Sequence, residues 1–186
     1  MEFDPRSPAF RADPYPFYDM LRRFAPIFFW EPWGLWFLTA HEECQTLLRD
    51  ELGIAPDERL ILQPTRIVRR KNIERAVELV RQLSERDRQH RYVLVVTGYA
   101  GDESGSYYDW LLRQVETAGI RALFIGDRIV ERRGVLEGRR TYTLWDIYPH
   151  ADFVTYLSSY EGFGNALIEA LYFRKPLIVN AYTAYR

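Results

Sequence analysis

Two carboxylates frame the most chemically loaded stretch of this 186-residue chain. Glu161 and Glu169 stand on either side of Gly162-Phe163-Gly164-Asn165, between an apolar run at 152–157 and a helical pattern at 166–173 that Arg174-Lys175-Pro176 closes. That order reads as strand, glycine-bearing loop and helix N-terminus. A helix N-terminus presents unpaired backbone N–H groups and the positive end of the dipole, so it suits an anion such as phosphate. Gly162 and Gly164 permit a tight turn and a close approach of backbone to ligand. Each carboxylate can accept hydrogen bonds from a pair of hydroxyls, as on a sugar. Donors for phosphate beside acceptors for a diol are what a nucleotide sugar requires. One acid alone would read as a solvated surface group; the combination carries the reading.

Counter-charges for a phosphate occur earlier in the chain. Pro64-Thr65-Arg66-Ile67-Val68-Arg69-Arg70-Lys71-Asn72 places four cations in six residues just after an apolar run. In an open α/β sheet this is the carboxyl edge, where ligands bind. Arg66 offers a planar fork to phosphate oxygens and Lys71 a point charge at a helix start; a solvated basic loop is the competing reading. Phe124-Ile125-Gly126-Asp127-Arg128-Ile129 and Gly98-Tyr99-Ala100-Gly101 follow two further strand-like runs. Each is either a ligand-facing loop or a plain turn. The commoner nucleotide signatures fail. Leu167 stands where a dinucleotide fingerprint has its third glycine, and no Gly-x-x-x-x-Gly-Lys-[Ser/Thr] occurs. His41, His90 and His150 share no metal-ligand spacing, and Cys44 alone permits neither an internal disulfide nor a multi-cysteine metal site. Two acids could also serve a glycoside hydrolase as acid and nucleophile, although the helix N-terminus and basic loop favour anion binding.

The elements that must hold these residues alternate. Leu60-Ile61-Leu62, Tyr92-Val93-Leu94-Val95-Val96, Leu123-Phe124-Ile125, residues 153–157 and Leu177-Ile178-Val179 are short apolar runs. Between them, 73–83 and 107–118 read as helices, with Asn72 placed to cap the first and Gly119 to stop the second. Residues 144–150 read as a short helix, and 126–140 as a polar loop with a surface excursion. Strands that are apolar throughout and alternate with helices predict a parallel sheet covered on both faces. The first fifty residues differ in character, holding 12 of the 29 aromatics and six of the ten prolines. There, 15–24 reads as a helix with Phe17, Tyr18 and Leu21 on one face. Ile27-Phe28-Phe29-Trp30 and Leu35-Trp36-Phe37-Leu38 read as a hairpin, and 40–49 as a second helix capped by Thr39. Phe28, Phe29, Trp30, Trp33 and Trp36 would be an aggregation hazard if left exposed. A net charge of −1 exerts no pull toward nucleic acid or anionic membrane. No apolar run approaches the ~20 residues of a membrane helix, and no signal pattern opens the chain, so a cytoplasmic protein is expected.

Two resemblances rest on these residues. Glu-Gly-Phe-Gly at Glu161 to Gly164, the Glu-x7-Glu spacing from Glu161 to Glu169, and Glu-Ala-Leu-(x)3-Lys-Pro at 169–176 resemble the donor-site loop and helix of retaining GT-B glycosyltransferases of the group 1 type. The likeness runs over about 52–186. It implies a Rossmann-like C-terminal domain that binds a nucleotide sugar and transfers its glycosyl unit with retention. It puts Arg66 and Lys71, at the family's spacing, on the donor diphosphate, with Thr65 and Asn72 where many members have glycine. It puts Glu169 on the ribose hydroxyls and Glu161 on a sugar hydroxyl, so that Glu161, Arg66 and Lys71 form the catalytic set. Gly162, Phe163, Gly164 and Asn165 complete the donor loop, and Arg128 and Ile129 fall near the nucleotide base. No metal or other cofactor is implied.

Residues 1–50 resemble the N-terminus of bacterial cytochrome P-450 monooxygenases. Phe3-Asp4-Pro5, Asp13-Pro14-Tyr15-Pro16-Phe17-Tyr18, Trp36-Phe37-Leu38-Thr39 and Leu47-Leu48-Arg49-Asp50 carry that likeness, while the Phe-x-x-Gly-x-x-x-Cys-x-Gly haem loop does not occur. The expected organisation is a helix–hairpin–helix segment at 1–51 and an incomplete glycosyltransferase domain at 52–186, without the acceptor half. Such a chain is expected to turn over weakly or not at all. A nucleotide-sugar-binding module without catalysis and a non-functional chimeric fusion are the other readings. Which nucleotide, sugar and acceptor take part is left open by the sequence.

Overall fold

The computed structural model describes residues 4, 6–24, 27–38, 48–101, 105–161 and 163–180. They gather into two compact units, Met1–Gly53 and Ile54–Arg186.

In the smaller unit, α1 (Pro8–Ala12) starts at Ser7, whose hydroxyl accepts from the Phe10 N–H at 3.2 Å. Pro8 fills a first-turn position where its missing N–H is no loss. α2 (Tyr15–Phe24) buries Phe17 and Leu21, and the Phe10 ring packs on Phe17 and Tyr18 at 5.5 Å. β1 (Ile27–Trp30) and β2 (Leu35–Leu38) pair antiparallel through a 3₁₀ turn at Glu31–Trp33 that ends on Gly34 at φ 62°. Trp30 is buried and Phe29 is 46% exposed, so the aromatic hazard is met at one of these two positions. The side chains of Phe28, Trp33 and Trp36 lie outside the described residues, as do His41, Cys44 and most of the expected second helix.

The larger unit is a five-stranded parallel sheet. β3 (Glu58–Gln63), β4 (Arg91–Val96) and β5 (Arg121–Phe124) run outward, and β8 (Phe153–Tyr156) and β9 (Leu177–Val179) lie on the other side of β3, giving the order β5-β4-β3-β8-β9. Leu60, Ile61 and Leu62 point alternately to opposite faces, yet all three are fully buried. Both faces are therefore covered, as continuous apolar strands require. On one face α3 (Ile73–Arg86) and α4 (Gly105–Ala118) pack Ile73, Ala76, Val77, Val80, Tyr107 and Leu111 over Ile61, Leu94 and Val96. Burying a Val, Leu or Ile side chain in such a layer stabilises by about 1.5–3 kcal/mol. Gly119 stops α4 at φ 61°, a conformation that glycine adopts without strain.

Three local readings are corrected. Residues 126–140 are a 3₁₀ turn (Gly126–Arg128) followed by an antiparallel hairpin, β6 (Gly134–Leu136) with β7 (Arg139–Thr141). Glu137 and Gly138, both at positive φ, form its two-residue turn. Its strands are almost wholly exposed, so no burial pattern marks them. The expected helix at 144–150 divides into α5 (Leu144–Ile147), opened by a Thr143–Asp146 capping box, and a 3₁₀ turn at Tyr148–His150, where Pro149 has no N–H to continue the helix. Asn72 precedes α3 as expected, but its side chain makes no cap hydrogen bond. It reaches across to the loop after β8, as described next. The remaining helix, α6, spans Asn165–Tyr172.

Candidate functional site

β3 and β8 are neighbours in space but not in sequence. The crevice beyond their carboxyl ends is where an open α/β sheet binds ligands. The backbone there is fixed from below. Gln63, fully buried at the end of β3, donates to Thr65 Oγ1 at 2.8 Å and accepts from the equally buried Thr155 hydroxyl of β8 at 2.6 Å. A buried polar chain with every partner supplied is rigid. Two glycines press in from the side. A Cβ on Gly98 would stand 2.0 Å from the Thr65 carbonyl oxygen and 2.4 Å from Arg66 Cα, and one on Gly126 would stand 2.6 Å from the Gly98 carbonyl oxygen. The loops after β3, β4 and β5 are thus stacked backbone on backbone, and Arg66 rides on top with its side chain exposed. Gly98 and Gly126 shape the floor of the crevice.

The loop after β8 is stitched to the loop after β3. Ser159 N–H donates to the Arg70 carbonyl at 2.8 Å, and the Asn72 amide donates to the Leu157 carbonyl at 2.8 Å and to Ser159 Oγ at 3.0 Å. Asn72 has φ 49° and ψ 48°. Asparagine visits this left-handed region at low cost, as glycine does. The stitching delivers Glu161 between two cations: Lys71 Nζ donates to Oε1, and Arg70 Nη1 to Oε2 at 3.2 Å. Lys71 also lies 5.2 Å from the Tyr156 ring centroid, a cation–π contact, and its side chain is only 10% exposed.

The charges around Glu161 do not balance. Burial pushes its carboxyl pKa up, but the hydrogen bond and charge of Lys71, with the Arg70 contact beside them, outweigh that and hold it below the ordinary glutamate value. Lys71 is also moved down: burial leads, the Glu161 contact opposes it, and Arg70 and Arg66 add to burial. Arg66, Arg70 and Lys71 share the cavity with Glu161 and Glu169, three cations against two acids, and the excess suits an anion.

Gly164, at φ 83°, turns the chain into α6, whose first residue is Asn165. Five residues into the helix, counting Asn165 as the first, Glu169 accepts from the Tyr148 hydroxyl at Oε2, 2.8 Å away. Arg66, Lys71, Glu161, Phe163, Gly164, Asn165 and Glu169 line one cavity of about 410 Å³, together with Thr65, Arg70 and Tyr156. That volume lies within the range of small-molecule sites. Two expected residues do not line it. Arg128 is buried, its Nε donating to the Arg140 carbonyl at 3.0 Å and its guanidinium lying 5.1 Å from the Tyr142 ring centroid. Ile129 bridges to Tyr142 through its backbone. Gly162 lies outside the described residues. Arg70, Tyr148 and Tyr156 enter the site unannounced by sequence. Arg70 is legible only as one of four cations, and the two tyrosines sit in segments that read as helix and strand. Among the described residues no group of three or more metal-ligating side chains forms, and no helix is long and apolar enough to cross a membrane.

With this geometry in hand, comparison with known proteins is informative. Residues 45–186 match the family described as glycosyl transferases group 1. The chain is 31% identical to mannosylglucosylglycerate synthase of Thermotoga maritima over 156 residues, which cover 78% of this chain and 35% of the relative. It thus spans about a third of the length of that relative. A 50-residue match, 36% identical, joins 27% of this chain to 12% of epothilone C/D epoxidase of Sorangium cellulosum. Among solved structures, Anabaena Alr3699/HepE in complex with UDP and glucose superposes with a TM-score of 0.58 at 21% identity, covering 75% of this chain and 34% of that one. This likeness is one of fold: the Rossmann-like C-terminal domain of the GT-B type.

Proposed function

Because the chain belongs to the glycosyl transferases group 1 family, we propose that the crevice between β3 and β8 holds a nucleotide sugar and that the chain supplies the donor half of a hexosyltransferase. The observation that carries this reading is the meeting, in one cavity, of Arg66, Lys71, the start of α6 and Glu169. They are, in this reading, diphosphate donors beside a diol acceptor. In this reading Arg66, Lys71 and the first N–H groups of α6 stabilise the charge that develops on the departing diphosphate. Glu169 takes the ribose hydroxyls. Glu161 yields a cation to the diphosphate and takes a sugar hydroxyl. Arg128 and Ile129 lie outside the cavity and are given no contact with the base. The bond from the anomeric carbon to the diphosphate breaks, and one to an acceptor oxygen forms on the same face of the sugar, the acceptor proton leaving on a phosphate oxygen. Protein cations meet the charge, so no metal is assigned.

GT-B transfer takes place in a cleft between two Rossmann-like domains, and the described residues form one. By itself the 186-residue chain is proposed to bind donor and to turn over weakly or not at all. A binding module without catalysis uses the same residues. The N-terminal unit is proposed to be a monooxygenase-like segment, on the motif resemblance carried by residues 13–18 and 36–39.

The test is calorimetric titration of the chain with UDP, UDP-glucose, GDP and GDP-mannose in the presence of EDTA. UDP leads because the similar Anabaena structure holds it. Saturable heat with at least one ligand, undiminished by EDTA, is expected. No heat with any of them overturns the proposal. Binding without release of nucleoside diphosphate from the sugar nucleotide selects the non-catalytic reading.

A further inference from the structure

Tyr148 is 1% exposed, and its hydroxyl is buried with it. A buried hydroxyl needs a partner. Two acceptors lie within reach: the Ala166 carbonyl at 3.5 Å and Glu169 Oε2 at 2.8 Å. One proton cannot serve both fully, and the shorter, charge-assisted contact takes it. The tyrosine is held from behind. Its ring stacks on Phe173 with centroids 5.1 Å apart and an interplanar angle of 4°. Pro149 follows it in a 3₁₀ turn, and the Thr143–Asp146 capping box anchors the helix just before. Tyr148 therefore has little freedom, whereas Glu169 is half-buried on a helix face and would otherwise sample several rotamers. Glu169 Oε1 makes no hydrogen bond among the described residues, and the side chain lines the cavity.

We propose that Tyr148 is a positioning residue for ribose recognition: by fixing Oε2 of Glu169, its hydroxyl keeps Oε1 available to the vicinal diol of the nucleotide. This rests on the reading of Glu169 as the ribose ligand. A rigid donor behind the carboxylate lowers the ordering required when the diol binds, because the carboxylate is already oriented. Tyr148 itself touches no ligand in this scheme.

The experiment measures the affinity of the 186-residue chain for UDP and 2′,3′-dideoxy-UDP, with GDP and 2′,3′-dideoxy-GDP as a second pair. Wild type, Glu169→Gln and Tyr148→Phe are compared. The readout is the preference for ribose over dideoxyribose. Each variant's affinity for the dideoxy nucleotide reports whether the site is folded, since that ligand lacks the diol. Tyr148→Phe keeps the ring stack and is expected to lower the ribose preference roughly fivefold, the effect of one lost hydrogen bond. Glu169→Gln should lower it at least as far. If Glu169→Gln lowers the preference and Tyr148→Phe leaves it unchanged, the positioning role is overturned and the ribose reading stands. If Glu169→Gln also leaves it unchanged, the ribose reading falls and the positioning role falls with it.

Discussion

The ion pair between Lys71 and Glu161 should behave as a coupled unit in stability measurements. The two side chains are 10% and 9% exposed. A pair this buried is not screened as a surface pair is, and removing one partner of a buried pair costs about 3–5 kcal/mol. After Lys71→Met, Arg70 remains 3.2 Å from Glu161. The loss should therefore fall at the lower end, about 3 kcal/mol. Glu161→Gln leaves Lys71 facing Arg66 and Arg70 without a carboxylate, and a similar or larger loss is expected. The double variant removes both charges together. It should lose about 3 kcal/mol rather than about 6, a coupling near the upper end for residues in contact. Urea unfolding at neutral pH, followed by far-UV circular dichroism, measures all four corners of the cycle. Additivity within about 0.5 kcal/mol would refute the reasoning.

The pair also fixes a pH dependence. The Glu161 carboxyl titrates lower in the folded chain than in the unfolded one. Its contribution is therefore complete above the ordinary glutamate value and is lost as pH falls through the folded value. The stability gap between wild type and Glu161→Gln should close as pH falls through and below the ordinary glutamate range. A gap that widened on acidification would contradict the assigned direction.

Two further substitutions probe the crevice itself. Arg66→Ala removes an exposed cation, so it should leave the unfolding midpoint nearly unchanged while weakening nucleoside diphosphate binding about 10- to 100-fold, the range for one lost hydrogen bond to a charged group; unchanged affinity by calorimetry would remove Arg66 from the site. Gly98→Ala would force its Cβ against the Thr65 carbonyl and Arg66 Cα, so a stability loss of about 1–3 kcal/mol is expected, as for overpacking, together with weaker binding; a variant as stable as wild type would show that the stacked loops can separate freely.

The parallel sheet was legible because each strand is an unbroken apolar run, and burial on both faces demands that pattern. The hairpin of β6 and β7 was not, because strands exposed on both faces carry no periodicity and only the positive φ of Glu137 and Gly138 marks the turn. Asn72 shows a subtler limit. Its position before α3 follows from local pattern, but the choice between capping the helix and bonding Leu157 is made by a loop 85 residues away in sequence. The same division holds at the site. Arg66, Lys71, Glu161 and Glu169 lie in local motifs, and the fold brings them into one cavity. Arg70 against Glu161, Tyr156 under Lys71, and Tyr148 behind Glu169 are tertiary facts with no local signature. Arg128 stands in a loop that read either as ligand-facing or as a plain turn, and the side chain packs inward onto Tyr142.

The position of a bound diphosphate is the most direct test of the central claim, and a crystal structure of the chain soaked with UDP would supply it. The account places the diphosphate oxygens within hydrogen-bond distance of Arg66, Lys71 and the N–H groups that open α6, with the Lys71–Glu161 contact broken or lengthened and the ribose hydroxyls on Glu169. A diphosphate bound elsewhere, with the Lys71–Glu161 pair intact and the crevice between β3 and β8 empty, would contradict it.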